Sequence, residues 1–96
     1  MRHELYISRD FTGDFSLDST ISDLVKPLGA EHMGSGAGCG TRDLDFLLPK
    51  PMTGDEVQAL HQSLVAACPG IDIDVLYEEW PDDTNYEGGP LVAYFS

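Results

Sequence analysis

Basic residues are scarce in this chain, and none occurs after residue 50. The 96 residues include 17 Asp and Glu against 5 Lys and Arg, so the formal net charge is −12. Residues 1–50 carry −3 of this charge and residues 51–96 carry −9. Proteins hold nucleic acid and anionic lipid through clustered Lys and Arg. The composition therefore argues against direct binding to nucleic acid or to a membrane surface.

Cysteine and long apolar runs are also scarce. Cys39 and Cys68 form no paired-cysteine zinc pattern, and no segment approaches the roughly 20 apolar residues of a membrane-spanning helix. The first residues contain no apolar run of signal-peptide length. We therefore expect a cytoplasmic protein with free thiols, and a disulfide between the two cysteines is left as an alternative.

Length and composition favour one acidic domain that spans residues 1–96. The hydrophobic share of 42% and the charged share of 23% are ordinary for a globular protein. A chain of this length holds one hydrophobic core and not two. The second half, which has no basic residue, repels itself and lowers the stability of the folded state.

Hydrophobic periodicity predicts the element order βαββαβ followed by one more strand. The predicted strands cover residues 3–9, 30–33, 42–48, 71–79 and 91–95, and a glycine-rich turn or bulge covers 34–40. Thr20 to Asp23 has capping-box spacing at the first helix, and Thr53 is expected to cap the second. This is the ferredoxin-like plan, an α+β sandwich with an antiparallel sheet, central first and third strands and an additional C-terminal strand. The alternative is a meander with the helices packed elsewhere.

Side-chain alternation predicts which face of the sheet each residue occupies. The inward positions are Leu5, Ile7, Leu44, Phe46, Leu48, Ile71, Ile73, Val75 and Tyr77. The buried stripe of the second helix is predicted to be Val57, Leu60, Leu64, Val65 and Cys68. The helices should cover one face, and the other should carry Glu4, Asp43, Asp45, Asp72, Asp74 and Glu78 beside Tyr6.

Patterns typical of enzymes are absent or incomplete. The glycine-rich stretch lacks phosphate-loop spacing and precedes a strand, and the three histidines have no zinc-ligand spacing. Carboxylates at Asp10, Asp43, Asp45, Asp72 and Asp74 suggest a divalent-metal nuclease as an alternative, but few bases are present to receive a phosphate substrate. We therefore predict no enzymatic activity, no metal and no cofactor.

The acidic residues of the two later strands form the strongest functional signal. Asp43/Asp45 and Asp72/Asp74 are pairs at i and i+2, which lie roughly 6.6 Å apart along a strand. That distance is comparable to the phosphate spacing of a nucleic-acid strand. The run from Glu78 to Asp83 continues the charge, and Trp80 within it is either a hot-spot anchor or a residue held on the core.

In size, charge and patterning the chain resembles small acidic inhibitors carried by phages and mobile elements, including anti-CRISPR proteins that mimic nucleic acid. The resemblance implies an inhibitor that blocks the basic groove of a nucleic-acid-binding protein or complex in the host cytoplasm. The implied partner-binding residues are Asp43, Asp45, Asp72, Asp74, Glu78, Glu79, Trp80, Asp82, Asp83 and Glu87. A monomer or a weak homodimer is expected. Alternatives are an immunity-type protein that neutralises a basic nuclease and an accessory domain whose charge serves solubility.

Overall fold

The computed structural model describes residues 2–11, 13, 15–80 and 91–96. These residues form an α+β fold with two α-helices and a five-stranded antiparallel sheet. In chain order the elements are β1 (Arg2–Asp10), α1 (Ser16–Val25), a 3-10 turn (Lys26–Leu28), β2 (Glu31–Gly38), β3 (Thr41–Leu48), α2 (Gly54–Ala67), β4 (Ile73–Trp80) and β5 (Leu91–Phe95).

The strands lie in the order β2-β3-β1-β4-β5, and each neighbouring pair is antiparallel. β1 is therefore central and pairs with β3 on one side, from His3 opposite Leu48 to Asp10 opposite Thr41. On its other side it pairs with β4. The adjacency of β1 and β3 matches the prediction, and the order is not that of a meander. A shift of one residue in these pairings would exchange the two faces of a strand, so the register decides where the acidic residues lie.

The helices cover one face of the sheet. The hydrophobic core fills the space between the helices and that face. The buried residues are Leu5, Ile7, Ile21, Val25, Leu44, Phe46, Leu48, Met52, Val57, Leu60, Leu64, Cys68, Ile73, Val75 and Tyr77. The predicted inward positions within β1, β3 and β4 are all among them. Val65 is not, because it is 43% exposed. It follows Leu64 by one residue, about 100° around α2, which turns it away from the narrow stripe that meets the sheet.

The two helices begin differently. At α2 the Thr53 hydroxyl accepts a hydrogen bond from the Glu56 amide (3.2 Å), and the Glu56 carboxylate accepts one from the Thr53 amide (3.0 Å), so the predicted cap is confirmed. The capping box predicted at Thr20 is wrong, since α1 already begins at Ser16 without a side-chain cap. The helix therefore starts four residues before Thr20, and Asp18 in its first turn binds Arg9 and Arg42 of the sheet. None of the helices in the described residues has the length and apolarity required to cross a membrane.

The glycine-rich segment is mostly strand and not turn. β2 extends to Gly38, and only Cys39 and Gly40 form the connection to β3. Both have positive φ values, 52° and 77°, as the tight turns of two-residue hairpins require. The strand predicted to end at residue 33 therefore continues, because pairing with β3 needs backbone groups and not side chains. One bulge interrupts it between His32 and Gly34.

The two cysteines lie in different environments. Cys39 is exposed at the hairpin turn, whereas Cys68 is buried beneath the sheet, and both are free thiols. The disulfide alternative is therefore wrong.

Candidate binding face

The side of the sheet that the helices leave uncovered is called the open face here. Side chains directly opposite each other on neighbouring strands share a face. The register sets Asp43 and Asp74 on either side of Ser8, and Asp45 and Leu76 on either side of Tyr6. Glu4 lies opposite Glu78 in the next row. The open face thus comprises Glu4, Tyr6, Ser8, Asp43, Asp45, Leu47, Asp74, Leu76 and Glu78, with the pair Arg2 and Trp80 at its end.

Hydroxyl groups of β1 hold two of these carboxylates. The Tyr6 hydroxyl donates a hydrogen bond to Glu4, and the Ser8 hydroxyl donates one to Asp43. Partial burial and the hydrogen bond to Glu4 raise the pKa of Tyr6 above the usual range. Tyr6 therefore stays protonated and keeps donating at neutral pH.

Asp45 lies close to other carboxylates of the open face, and its pKa is raised. Partial burial raises the pKa of this carboxyl, and the charges of Asp43 and Glu4 raise it further. Neighbouring carboxylates that are both ionised repel each other, and the repulsion favours the protonated form. A cationic group placed over the open face would relieve that repulsion.

A depression of about 460 Å³ lies in the open face next to β2. Its walls include Tyr6, Asp43 and Asp45, and β2 contributes no bulky side chain because Gly34 and Gly36 lie opposite Asp45 and Asp43. A Cβ atom on Gly36 would meet nothing within 4 Å. The depression is therefore open toward the edge of the sheet.

Two arginines are sequestered on the opposite side of the sheet. Arg9 and Arg42 both bind Asp18 of α1, at 3.1 and 2.7 Å. Each guanidinium also lies over an aromatic ring, Arg9 over Phe11 and Arg42 over Phe15. Arg2 is the exception, since it pairs with Glu4 (2.7 Å) at the end of β1. These internal pairings leave most of the open face without a compensating base.

The structure brings together four of the ten predicted partner-binding residues, Asp43, Asp45, Asp74 and Glu78, on the open face. Asp72 is exposed but precedes β4, and its backbone carbonyl accepts a hydrogen bond from the Asp10 amide (3.2 Å). The prediction that Asp72 lies within a strand is wrong, because β4 begins at Ile73.

The other five predicted residues lie at the end of this group, on the other face of the sheet, or outside the described residues. Glu79 lies on the helix-covered face, where its carboxylate accepts a hydrogen bond from the Tyr77 hydroxyl (2.6 Å). Trp80 is the last residue of β4, lies opposite Arg2 at the end of the open face, and is 36% exposed. Asp82, Asp83 and Glu87 lie outside the described residues.

The alternation of β1 predicts that Ser8 shares a face with Glu4 and Tyr6, but Leu47 and Leu76 were not predicted as members of the open face. The signal was present, because both leucines occupy the same alternating positions as their acidic neighbours. Leu76 gives the face an apolar centre next to Tyr6.

His61 of α2 packs against the sheet. The Nε2 atom of His61 lies 3.0 Å from the Ile73 carbonyl oxygen, and its ring stacks on Phe95. This is the packed role expected for an imidazole at the border of a helix stripe. Within the described ranges, no group of three or more His, Cys, Asp or Glu side chains is arranged to hold a metal ion.

The sequence matches no protein-family model, and it matches no curated protein. The class of protein is defined by its structure alone: an α+β domain whose sheet has one helix-covered face and one carboxylate-rich face. Carboxylates and hydroxyls in this arrangement accept hydrogen bonds from cationic groups. Any function is therefore inferred from this surface.

Proposed function

We propose that the protein is a non-enzymatic inhibitor whose open face mimics nucleic acid. It occupies the basic groove of a nucleic-acid-binding protein or complex, such as a CRISPR effector, in the cytoplasm of the host cell. The observation that carries this proposal is the grouping of carboxylates from β1, β3 and β4 on one surface, while Arg9 and Arg42 are paired on the other.

The spacing of the carboxylates supports the mimicry. Asp43 and Asp45 lie roughly 6.6 Å apart along β3, and neighbouring strands lie about 4.8 Å apart. Negative groups at intervals of this size resemble the phosphates along a nucleic-acid strand. A groove lined by Lys and Arg would meet them in similar positions.

Electrostatics and an anchor play different parts in this association. The charge of the open face speeds diffusional encounter with a basic groove, and salt screens this effect. Each exposed ion pair contributes little, about 0–1 kcal/mol. Affinity therefore depends on a buried anchor, and we assign this part to Trp80 or Tyr6; truncating an anchor costs about 2 kcal/mol or more.

We also infer that the fold is the ferredoxin-like sandwich with an additional C-terminal strand. The strand order supports this inference, because β1 lies between β3 and β4 and β2 lies outside β3. The added β5 pairs with the outer side of β4. In this plan the helices pack on one face, which leaves the other available for a partner.

The decisive experiment compares two double variants with the same change of charge on opposite faces. Asp43→Asn/Asp45→Asn alters the open face, and Asp23→Asn/Asp55→Asn alters exposed positions on the two helices. The immobilised proteins are incubated with host lysate at low salt and eluted at high salt. Retained proteins are then tested for loss of nucleic-acid binding when the inhibitor is added.

We expect the wild type and the helix variant to retain a basic nucleic-acid-binding protein and to block its binding to nucleic acid. The open-face variant should associate more slowly. Equal association by the two variants would exclude the open face as the binding surface. Failure of the wild type to retain any such protein in a salt-dependent manner would refute the proposal.

Absence of catalysis is part of the proposal and has its own test. The pure protein is incubated with Mg²⁺ or Mn²⁺ and labelled DNA or RNA, and the substrate should stay intact. Cleavage that disappears in Asp43→Ala or Asp72→Ala would support the metal-dependent nuclease instead.

A further inference from the structure

We propose that the outer edge of β2 accepts an extended, basic segment of a partner as an additional strand. The basic side chains of this segment would cross Gly34 and Gly36 to reach Asp45 and Asp43. The inference rests on the proposed function and adds the way in which the partner is held.

The outer edge of β2 is available for pairing. β2 is the terminal strand of the sheet and pairs with β3 on its inner side, and no described residue forms a backbone hydrogen bond to its outer side. An edge strand presents a row of backbone N–H and C=O groups that another strand can pair with. Residues 31–38 contain none of the Lys or Pro residues that usually discourage such pairing. The single bulge lies near the start of β2, so the pairing of Gly34–Gly38 with β3 is regular.

The glycines of β2 connect this edge to the acidic depression. Gly36 lies opposite Asp43, and Gly34 lies opposite Asp45. A strand added to β2 would lie two strand spacings, about 10 Å, from β3. Because neither glycine has a side chain, an extended arginine on the added strand has a clear path across β2 to these carboxylates. Bulky residues at positions 34 and 36 would close that path.

The alternation of a strand specifies the sequence of the partner segment. Its residues that face the open face recur at i and i+2, as Asp43 and Asp45 do. The segment should therefore carry a basic residue at every second position. Arginine suits these positions best, because its guanidinium can donate two hydrogen bonds to one carboxylate.

Charge complementarity favours a basic partner over a second copy of this chain. A second β2 would bring the acidic residue Glu31 and neither Lys nor Arg. Each copy also carries a net charge of −12, which opposes self-association. Strand addition of this kind obtains affinity from backbone hydrogen bonds and specificity from alternate side chains.

The test uses two peptides of identical composition and the purified protein. One peptide alternates Arg and Thr over the length of β2, and the other carries all of its arginines in one block. Fluorescence anisotropy at low salt measures the dissociation constants. We expect the alternating peptide to bind about tenfold more tightly, since only its arginines align with the carboxylates.

Variants of β2 test the path across the strand. Gly36→Val places a branched side chain in the path across β2, and it is compatible with the fold because a Cβ atom there meets nothing within 4 Å. Gly38→Val is the matched control, because it lies on the same strand opposite Thr41, beyond the carboxylates. Gly36→Val should weaken the alternating peptide about tenfold and Gly38→Val much less. Thermal unfolding of both variants checks that they are folded.

N-methylation tests the backbone pairing directly. Alternate amides of a strand point to opposite sides, so only one set of amides faces β2. Two versions of the alternating peptide are compared, one methylated on its Arg amides and one on its Thr amides. Binding should be abolished in one version and kept in the other. Retention of binding by both methylated peptides would overturn strand addition. So would equal affinity for the alternating and blocked peptides, or no binding of either.

The failure of this inference is distinguishable from failure of the proposed function. If both peptides bind equally and Asp43→Asn/Asp45→Asn weakens both, the open face binds basic partners but β2 adds no strand. If the whole partner retained from lysate is insensitive to that double variant, the proposed function itself fails. A dimer that Gly36→Val disrupts in the absence of peptide would show a second copy at this edge and would overturn the assignment of a basic partner.

Discussion

Asp18 of α1 binds Arg42 of β3 through two hydrogen bonds to one carboxylate oxygen, at 2.7 and 3.1 Å. Its second oxygen accepts a hydrogen bond from Arg9 of β1 at 3.1 Å. One carboxylate thus ties the first helix to two strands. The same contact removes two of the five basic residues from the open face.

We expect Asp18→Asn to lower the free energy of unfolding by about 2 kcal/mol, as for other charged hydrogen bonds. Burial disfavours the ionised Asp18, but hydrogen bonds from Arg42 and Arg9 outweigh it and lower the pKa of this carboxyl. Its contribution is therefore present above the pKa of the unfolded chain and lost as pH falls through the lower folded value. Urea unfolding measures both effects. Asp23→Asn, on the exposed side of α1, should change stability by less than about 0.5 kcal/mol; an equal loss in both variants would contradict the assignment.

Asp45→Asn should stabilise the fold at neutral pH by less than about 1 kcal/mol, because the charge is partly exposed and screened. Since burial and the charges of Asp43 and Glu4 raise the pKa of Asp45, the folded state holds the proton more tightly than the unfolded chain does. The wild type therefore loses stability as pH rises from below the ordinary pKa of an Asp to above the raised pKa of Asp45, and the variant does not. Unfolding free energies measured between acidic and neutral pH should converge at the acidic end. A constant difference at every pH would contradict the crowding of charge on the open face.

Tyr77→Phe should cost about 1–2 kcal/mol, because the Met52 amide loses its acceptor in the core. The Tyr77 hydroxyl accepts from that amide at 3.0 Å and donates to Glu79 at 2.6 Å. Burial and the hydrogen bond to Glu79 raise the pKa of Tyr77 to about 12. The contribution of the Tyr77 hydroxyl to the free energy of unfolding is therefore complete below the pKa of tyrosine in the unfolded chain, about 10, and declines as pH rises above it. The difference between wild type and variant should shrink in that alkaline range; Tyr94→Phe, at an exposed position, should change neutral stability little.

Thr53→Ala should destabilise the protein by about 1 kcal/mol through loss of the α2 cap. Thr20→Ala should not, because Thr20 lies inside α1 and alanine favours a helix interior. Thermal unfolding of the two variants compares them directly. A larger cost at Thr20 than at Thr53 would mean that α1 begins where its capping-box spacing first indicated.

Local pattern predicted most of the strands and the face of the sheet that each side chain occupies. Leu5, Ile7 and Leu44 alternate with more polar residues, and burial of the apolar set leaves one possible orientation for each strand. The acidic open face followed from the same alternation at Asp43, Asp45 and Glu78. The cap at Thr53 was also predictable, because a capping box involves residues only three apart.

The start of α1 and the extent of β2 depended on tertiary contacts. Asp18 stabilises the first turn of α1 through arginines that are distant in sequence, so no local signal marks that turn. Glycines predict turns in isolation, but Gly34 and Gly36 are strand residues here because β3 supplies their hydrogen-bond partners.

Composition and short-range spacing are enough to predict the excess of acid, the alternation and therefore the presence of a charged face. They do not fix which carboxylates become neighbours or which bases are held away from them, because both depend on the folded arrangement of the strands. Strand order brings β3 and β4 to either side of β1, and ion pairing holds Arg9 and Arg42 beneath the sheet. Both are long-range effects, because the free energy of such contacts depends on residues that meet only after the chain has folded.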